Sequence, residues 1–173
     1  MTGVQTCALP ISEASLAFGE ALELLDHALP HVREPLTRAR LLAYMGRLLW
    51  MDGKTAAAEE VLVDGIAGLD GFGEDVEAAR ARLILGRCRW EQSRPDLAYE
   101  ETEHARRVLE EHGPSADLAL AYIRLAGLYK FEFDNEHSIE MAEKAVEVAS
   151  AAGSRSARVD TGAICRAPCI PKL

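Results

Sequence analysis

Apolar residues in the middle of the chain recur at intervals of three, four and seven. Leu41, Tyr44, Met45 and Leu48 form one such set, and Ala81, Ile84, Leu85 and Cys88 a second. Ala121, Leu125 and Leu128 form a third, in which Arg124 takes the remaining place. This spacing gathers each set on one face of an α-helix, so each set is expected to be a core face. Ala58, Val61, Leu62 and Gly65 do the same for a following helix. No stretch shows sustained strand alternation. The pattern predicts helices over 13–33, 36–51, 55–69, 74–91, 95–112, 115–131 and 136–152. Their joints are marked by Gly53, the Gly-Phe-Gly at 71–73, Pro95 at a helix start and Ser115, whose hydroxyl can cap the next helix.

The helices repeat. Gly46, Gly86 and Ala126 follow one another at 40 residues, as do Ala58, Ala98 and Ser138, and Gly65, Ala105 and Ala145. One step earlier Ala21 and Ala28 precede Ala58 and Gly65 by 37. Small residues at repeated sites let helices approach closely, and units of this kind bury their apolar faces against their neighbours.

This arrangement resembles the tetratricopeptide repeat (TPR), in which each unit is an antiparallel helix pair. A small residue stands late in the first helix, and alanines stand near the start and middle of the second. Gly46/Ala58/Gly65, Gly86/Ala98/Ala105 and Ala126/Ser138/Ala145 match those sites, over residues 13–152. The departures are the period, 40 instead of about 34, and Arg82 and Arg89, which stand where the family usually has large apolar residues. Those two arginines are expected to be solvated or paired with glutamate. The resemblance implies an all-α, right-handed α-solenoid of about three and a half hairpins in residues 12–152. It also implies a non-catalytic module for protein–protein interaction. Longer, degenerate repeats of this style are similar to those of large bacterial signalling ATPases, including transcriptional regulators of the MalT and LuxR type and cyclase-linked ATPases. That likeness implies a sensor or scaffold region of a larger cytoplasmic regulator. The alternatives are a regulatory arm of a nucleotide cyclase or ATPase, and a structural repeat that associates with itself through uncapped ends.

A shift of 40 also places Arg40, Arg47 and Trp50 on Arg80, Arg87 and Trp90, while the third unit has Leu120, Gly127 and Lys130 there. In a TPR array such positions look like those facing the concave groove. Arginine grips carboxylates in a two-pronged fashion and tryptophan offers a broad, rigid contact. A protein or peptide partner with an acidic residue beside an apolar one would suit Arg40, Arg47, Trp50, Arg80, Arg87, Trp90 and Lys130. The alternative for the same residues is that the arginines pair with surface glutamates and the tryptophans close the packing between units.

Charge and composition narrow the function classes. The 173 residues carry a net charge of −9, with 49% hydrophobic and 27% charged residues, as in an ordinary globular chain. Residues 153–173 hold Arg155, Arg158, Arg166 and Lys172 against Asp160, a net +3, which leaves −12 on the rest. Such a body lacks the basic face that nucleic-acid binding needs. No apolar run reaches the roughly 18 residues of a membrane span, and the start does not read as a secretory signal, so a cytoplasmic location is expected. Cys7 and Cys88 are isolated, and Cys165 and Cys169 form a single pair, so neither a disulfide framework nor a structural zinc site is expected.

Gly53-Lys54-Thr55 has the closing letters of a phosphate-binding P-loop. The glycine needed five positions before Gly53 is Leu48, and a helical pattern precedes the motif where a strand should stand. It is read as an inter-helix turn, in register with Ser93-Arg94-Pro95 and Phe133-Asp134-Asn135. His27 and His31 have helical metal-ligand spacing but no further ligand, and His104, His112 and His137 read as solvent-facing. Glu100, Glu103 and Glu110 with Arg106 and Arg107 read as a solvated helix side, and no catalytic constellation or cofactor site is expected.

Both ends differ from the middle. The opening MTGVQTCALPI resembles the translation of a short-read sequencing adapter, so residues 1–11 are read as non-native and the chain as a fragment. Residues 153–173, with Pro168 and Pro171, are read as an irregular tail that is truncated, frameshifted or natively flexible. About three units with uncapped ends predict marginal stability or association.

Overall fold

The structure is a computed structural model that describes the backbone of residues 9–153 and the side chains of 18–153. Residues 1–8 with Cys7, and the tail from 154 on with Cys165 and Cys169, lie outside the described residues. The described residues form seven α-helices and no strand. They are α1 (Leu9–Ala28), α2 (Pro35–Met51), α3 (Thr55–Gly71), α4 (Asp75–Glu91), α5 (Pro95–Glu111), α6 (Ala116–Phe131) and α7 (Asn135–Ala151). The described residues divide into two compact units, one up to Gly73 and one from Glu74 on.

In the first unit, α2 and α3 pair as a hairpin and α1 packs on α2. The expected helix over 13–33 is not continuous: α1 ends at Ala28 and a single 3-10 turn, Leu29–His31, follows. Pro30 explains the break, since it donates no N–H and its ring crowds the carbonyl four residues earlier. Arg38 Nη1 donates to the Leu29 carbonyl at 3.0 Å, and the Glu34 carboxylate caps α2 by accepting from Leu36 N at 3.1 Å and Thr37 N at 2.5 Å. The bonds to Thr37 hold the Glu34 carboxyl below the usual glutamate range.

The second unit holds two hairpins, α4–α5 and α6–α7, with α5 packed against α6. Its core joins Leu83 of α4, Leu109 of α5, Tyr122 of α6 and Ala145 of α7. Burying leucines such as Leu83, Leu109 and Leu125 contributes roughly 1.5–3 kcal/mol each.

The repeated small residues sit where the helices touch. Ala58, Ala98, Ala105, Ala126, Ser138 and Ala145 are buried, as are Gly46, Gly65 and Gly86. A Cβ on Gly65 would come within 2.8 Å of the Ala43 backbone nitrogen, so α2 and α3 approach closely only because position 65 has no side chain. Polar members of the set are satisfied within the fold: Ser138 Oγ donates to the Ala126 carbonyl at 2.8 Å, and Thr102 Oγ1 to the Ala98 carbonyl at 2.7 Å.

The period of 40 also appears in the backbone. Gly53, Ser93 and Phe133 all adopt positive φ, at 78°, 60° and 61°. In each turn the following residue donates back five positions: Lys54 to Leu49, Arg94 to Arg89 and Asp134 to Tyr129, at 2.9–3.0 Å. This is the left-handed helix stop in which an inner bond accompanies an outer one. Gly53-Lys54-Thr55 is therefore the turn from α2 into α3, with no strand before it. Gly73, Gly113 and Gly153, which follow α3, α5 and α7, form a second left-handed series at the same interval.

One expected core face is corrected. Of Leu41, Tyr44, Met45 and Leu48, only Leu48 is buried, and Tyr44 is 52% exposed. The stripe that α2 buries is Ala39, Gly46, Leu48 and Leu49. The close approach of α3 selects small residues for the contact line, and the larger side chains flank it.

Candidate functional site

In the second unit, residues of α4, α5 and α6 line a cavity of about 240 Å³. Its floor is made where α4 meets α5: Gly86 faces Ala98 and Thr102, and a Cβ on Gly86 would lie 2.9 Å from Thr102 Oγ1. Arg87 and Trp90, one and four positions further along α4, line one side. Ile123, Arg124, Gly127, Leu128 and Phe131 of α6 line the other, the i, i+4 and i+8 places of one helical stripe among them. At Gly127 a Cβ would meet no heavy atom within 4 Å, so the missing side chain leaves space that the cavity occupies.

The walls are largely apolar and aromatic. Trp90 and Phe131 meet with ring centroids 4.6 Å apart and planes tilted by 46°. Phe131 is nevertheless 66% exposed, and Phe133, two residues on, is 84% exposed. Large aromatic surface left open beside a cavity is the composition of a contact hot spot.

Arg124 supplies the charge at depth. The residue is half-buried and borders the cavity. Burial and then the neighbouring Arg87 charge pull its pKa down to about 10, against smaller opposing effects of Cys88 and Glu91. Its Nη1 donates to the Leu83 carbonyl of α4. Arg87, at the rim, is exposed and bonded through Nε to Glu91 Oε1 at 2.9 Å.

The residues expected in a groove are thus placed as follows. Arg87 and Trp90 line the cavity. Arg80 is exposed on α4 and its Nε pairs with Asp117 Oδ2 of α6 at 2.6 Å, and Lys130 is exposed on α6. Arg40 and Arg47 are exposed and Trp50 is half-buried, all on α2 of the first unit. Arg124, Gly127 and Phe131 were not among the expected site residues. Two of them had a signal: Arg124 interrupts an apolar series, and Gly127 interrupts the recurrence of Arg47 and Arg87.

Other polar side chains build structure. Arg82 Nη1 and Arg89 Nη1 converge on the two oxygens of Glu101, at 2.9 and 2.8 Å, with side-chain exposures of only 13–16%. They are glutamate-paired, as one reading expected, but sheltered instead of solvated. On the acidic face of α5, Glu100, Arg107 and Glu110 are exposed as expected, while Glu103 and Arg106 are half-buried, Arg106 being held by Glu103 and Glu110 at 2.5 Å each. Tyr122 of α6 donates to Glu110 and lies under Arg106, whose guanidinium carbon is 5.9 Å from the ring centroid. His137 is exposed but engaged: its ring stacks on Tyr129 at 5.3 Å and its Nδ1 lies 2.7 Å from Asp134 Oδ2. His27, His31, His104 and His112 are exposed.

Among the described residues there is no group of three His, Cys, Asp or Glu side chains arranged to hold a metal ion. Among them, too, no helix is long and apolar enough to cross a membrane.

No family model matches the chain, and no curated protein matches it in sequence. Solved structures do match in fold. One is BtubC (BKLC) from P. vanneervenii, at 18% identity and a TM-score of 0.72, over 86% of this chain and 65% of that one. Another is a Podosopora anserina protein described as a kinesin light chain with nearly identical TPR-like repeats, at 14% identity and a TM-score of 0.69, over 89% of this chain and 81% of that one. The chain therefore spans just under two thirds of the length of the first. At these identities the likeness is one of fold, and the fold is a TPR-like all-α array of helix hairpins.

Proposed function

We propose that the chain is a non-catalytic protein-interaction scaffold, and that the α4–α6 face of its second unit binds a peptide segment of a partner protein. The observation that carries this reading is the cavity beside the Trp90–Phe131 ring pair, apolar at its walls and cationic at Arg87 and Arg124. Its size supports a peptide: about 240 Å³ is below the roughly 300–1,000 Å³ of sites that enclose a small molecule, and suits one or two side chains. The charge of the lining suits an acidic partner. Arg80 and Lys130 of the same unit are the further residues a longer segment would engage, and Arg40, Arg47 and Trp50 on α2 are a separate candidate set of the first unit, taken by itself. The setting we favour is a cytoplasmic signalling or transcriptional regulator of which the repeats are the sensor or scaffold part. An arm of a cyclase or ATPase is the second reading.

Selection from a displayed random-peptide library on the immobilised protein tests the reading. Peptides that bind the wild type and lose binding to Trp90→Ala, with the helical circular dichroism of the variant unchanged, are the expected result. Recovery only of peptides indifferent to Trp90 and Phe131 would overturn it.

A further inference from the structure

Arg124 is an unusual residue to find in the helix stripe that elsewhere in this fold is apolar. Its series partners Ala121, Leu125 and Leu128 are all buried, so the register of α6 carries a cation into a place where burial disfavours charge. Among its five N–H donors, the bond from Nη1 to the Leu83 carbonyl uses one. No carboxylate of the described residues forms an ion pair with it, in contrast to Arg80, Arg82, Arg87, Arg89 and Arg106. The cavity that Arg124 borders is the one widened by Gly127 and walled by Trp90 and Phe131.

We propose that Arg124 is a carboxylate-binding residue, taking the side chain of a partner's Asp or Glu into the cavity, with an adjacent apolar side chain of the partner lying on Trp90 and Phe131. This rests on the reading of the face as a peptide site and specifies what that site selects. A side-chain carboxylate fits better than a chain terminus. It has acceptors only, carried on methylene groups that match the apolar walls. A terminal carboxylate brings its own backbone N–H, and the one hydroxyl lining the cavity, that of Thr102, already spends its proton on the Ala98 carbonyl. Arg87, at the rim, adds a second positive charge that draws an anion inward and is itself exchangeable from Glu91. The same enclosure that makes the empty site unfavourable for a cation makes the ion pair strong once it forms.

The test uses the full chain and three peptides built on one frame, acetyl-Ser-Phe-Glu-Ser-amide. The second has Gln for Glu, and the third has Gln for Glu and a free C-terminal carboxylate. Binding is followed by NMR at the Arg124 Nε–H and Trp90 indole N–H signals. The Glu peptide is expected to shift both signals and to bind at least roughly tenfold more tightly than either Gln peptide. Arg124→Met should abolish that preference, and Arg124→Lys, which keeps the charge but not the fork, should restore part of it. If Arg124 serves only to tie α6 to α4, Arg124→Met lowers the melting temperature and leaves the Glu-over-Gln ratio as in the wild type, and the proposal fails. It fails also if no peptide moves the two signals, or if the free-terminus peptide is preferred. Library peptides that need Trp90 but show no carboxylate preference would overturn this inference and leave the peptide-site reading standing.

Discussion

Trp90 of α4 and Phe131 of α6, forty-one positions apart in the chain, meet with ring centroids 4.6 Å apart at 46°. Both rings line the cavity, and their contact ties two successive hairpins of the second unit to each other. An aromatic pair of this geometry contributes roughly 0.5–1.5 kcal/mol beyond its buried area. Phe131→Ala should therefore cost about 1 kcal/mol in urea denaturation and shift the Trp90 emission to longer wavelength, measured in a Trp50→Phe background. Unchanged emission would mean that the two rings do not meet in solution.

Phe133 sits at φ 61°, in the left-handed region, with 84% of its surface exposed. The equivalent turn positions are Gly53 and Ser93. A bulky residue in this conformation costs roughly 1–2 kcal/mol, and an exposed ring recovers little of it. Phe133→Gly is expected to raise stability by about 1 kcal/mol and, if the ring belongs to the binding surface, to weaken the affinity for peptides selected on Trp90. A stabilised variant with full affinity would reduce Phe133 to a tolerated defect.

Glu101 holds both Arg82 and Arg89 with little exposure of any of the three. Removing one partner of a sheltered network leaves charge without its counter-charge, which costs more than the intact pair contributes. Glu101→Ala should lower stability by about 2–3 kcal/mol, and the double change with Arg82→Met should cost less than the sum of the singles. Strict additivity in that cycle would count against the network.

Asp134 and His137 shape the pH response of the α6–α7 turn. The side-chain bond to Asp134 raises the His137 pKa above its usual 6.5, and the bond from the His137 backbone N–H lowers that of Asp134. The contribution of His137 is fully present below its unfolded pKa and fades as pH rises through the raised folded value. That of Asp134 is present above its unfolded pKa and fades as pH falls through the lowered folded one. In an NMR titration His137 should deprotonate above 6.5, and Asp134→Ala should bring it back toward that value. An unmoved midpoint would show that the contact does not persist in water.

Some of this was legible in the residues alone. The recurrence of small side chains at 40 positions marked the helix contacts because close backbones tolerate nothing larger there, as Gly65 against Ala43 shows. The α2 core face was misjudged for the same reason. Leu41, Tyr44 and Met45 are the more apolar stripe, but the contact line belongs to Ala39 and Gly46, whose value lies in their size and not their hydrophobicity. The cavity was hidden in two exceptions, a charge in an apolar series and a glycine in an arginine series. Neither acquires a meaning until α4 and α6 are placed side by side.

The space beside Trp90 and Phe131, left by the absent side chain of Gly127, is where the partner is proposed to bind. Gly127→Leu tests it most directly, since a Cβ there meets nothing within 4 Å and leucine favours the helix over glycine by roughly 1 kcal/mol. The affinity of this variant for a Trp90-dependent peptide is the measurement. A melting temperature at or above that of the wild type is expected, together with at least a roughly tenfold loss of affinity, about 1.4 kcal/mol. A stable Gly127→Leu protein that binds the peptide as well as the wild type would contradict it.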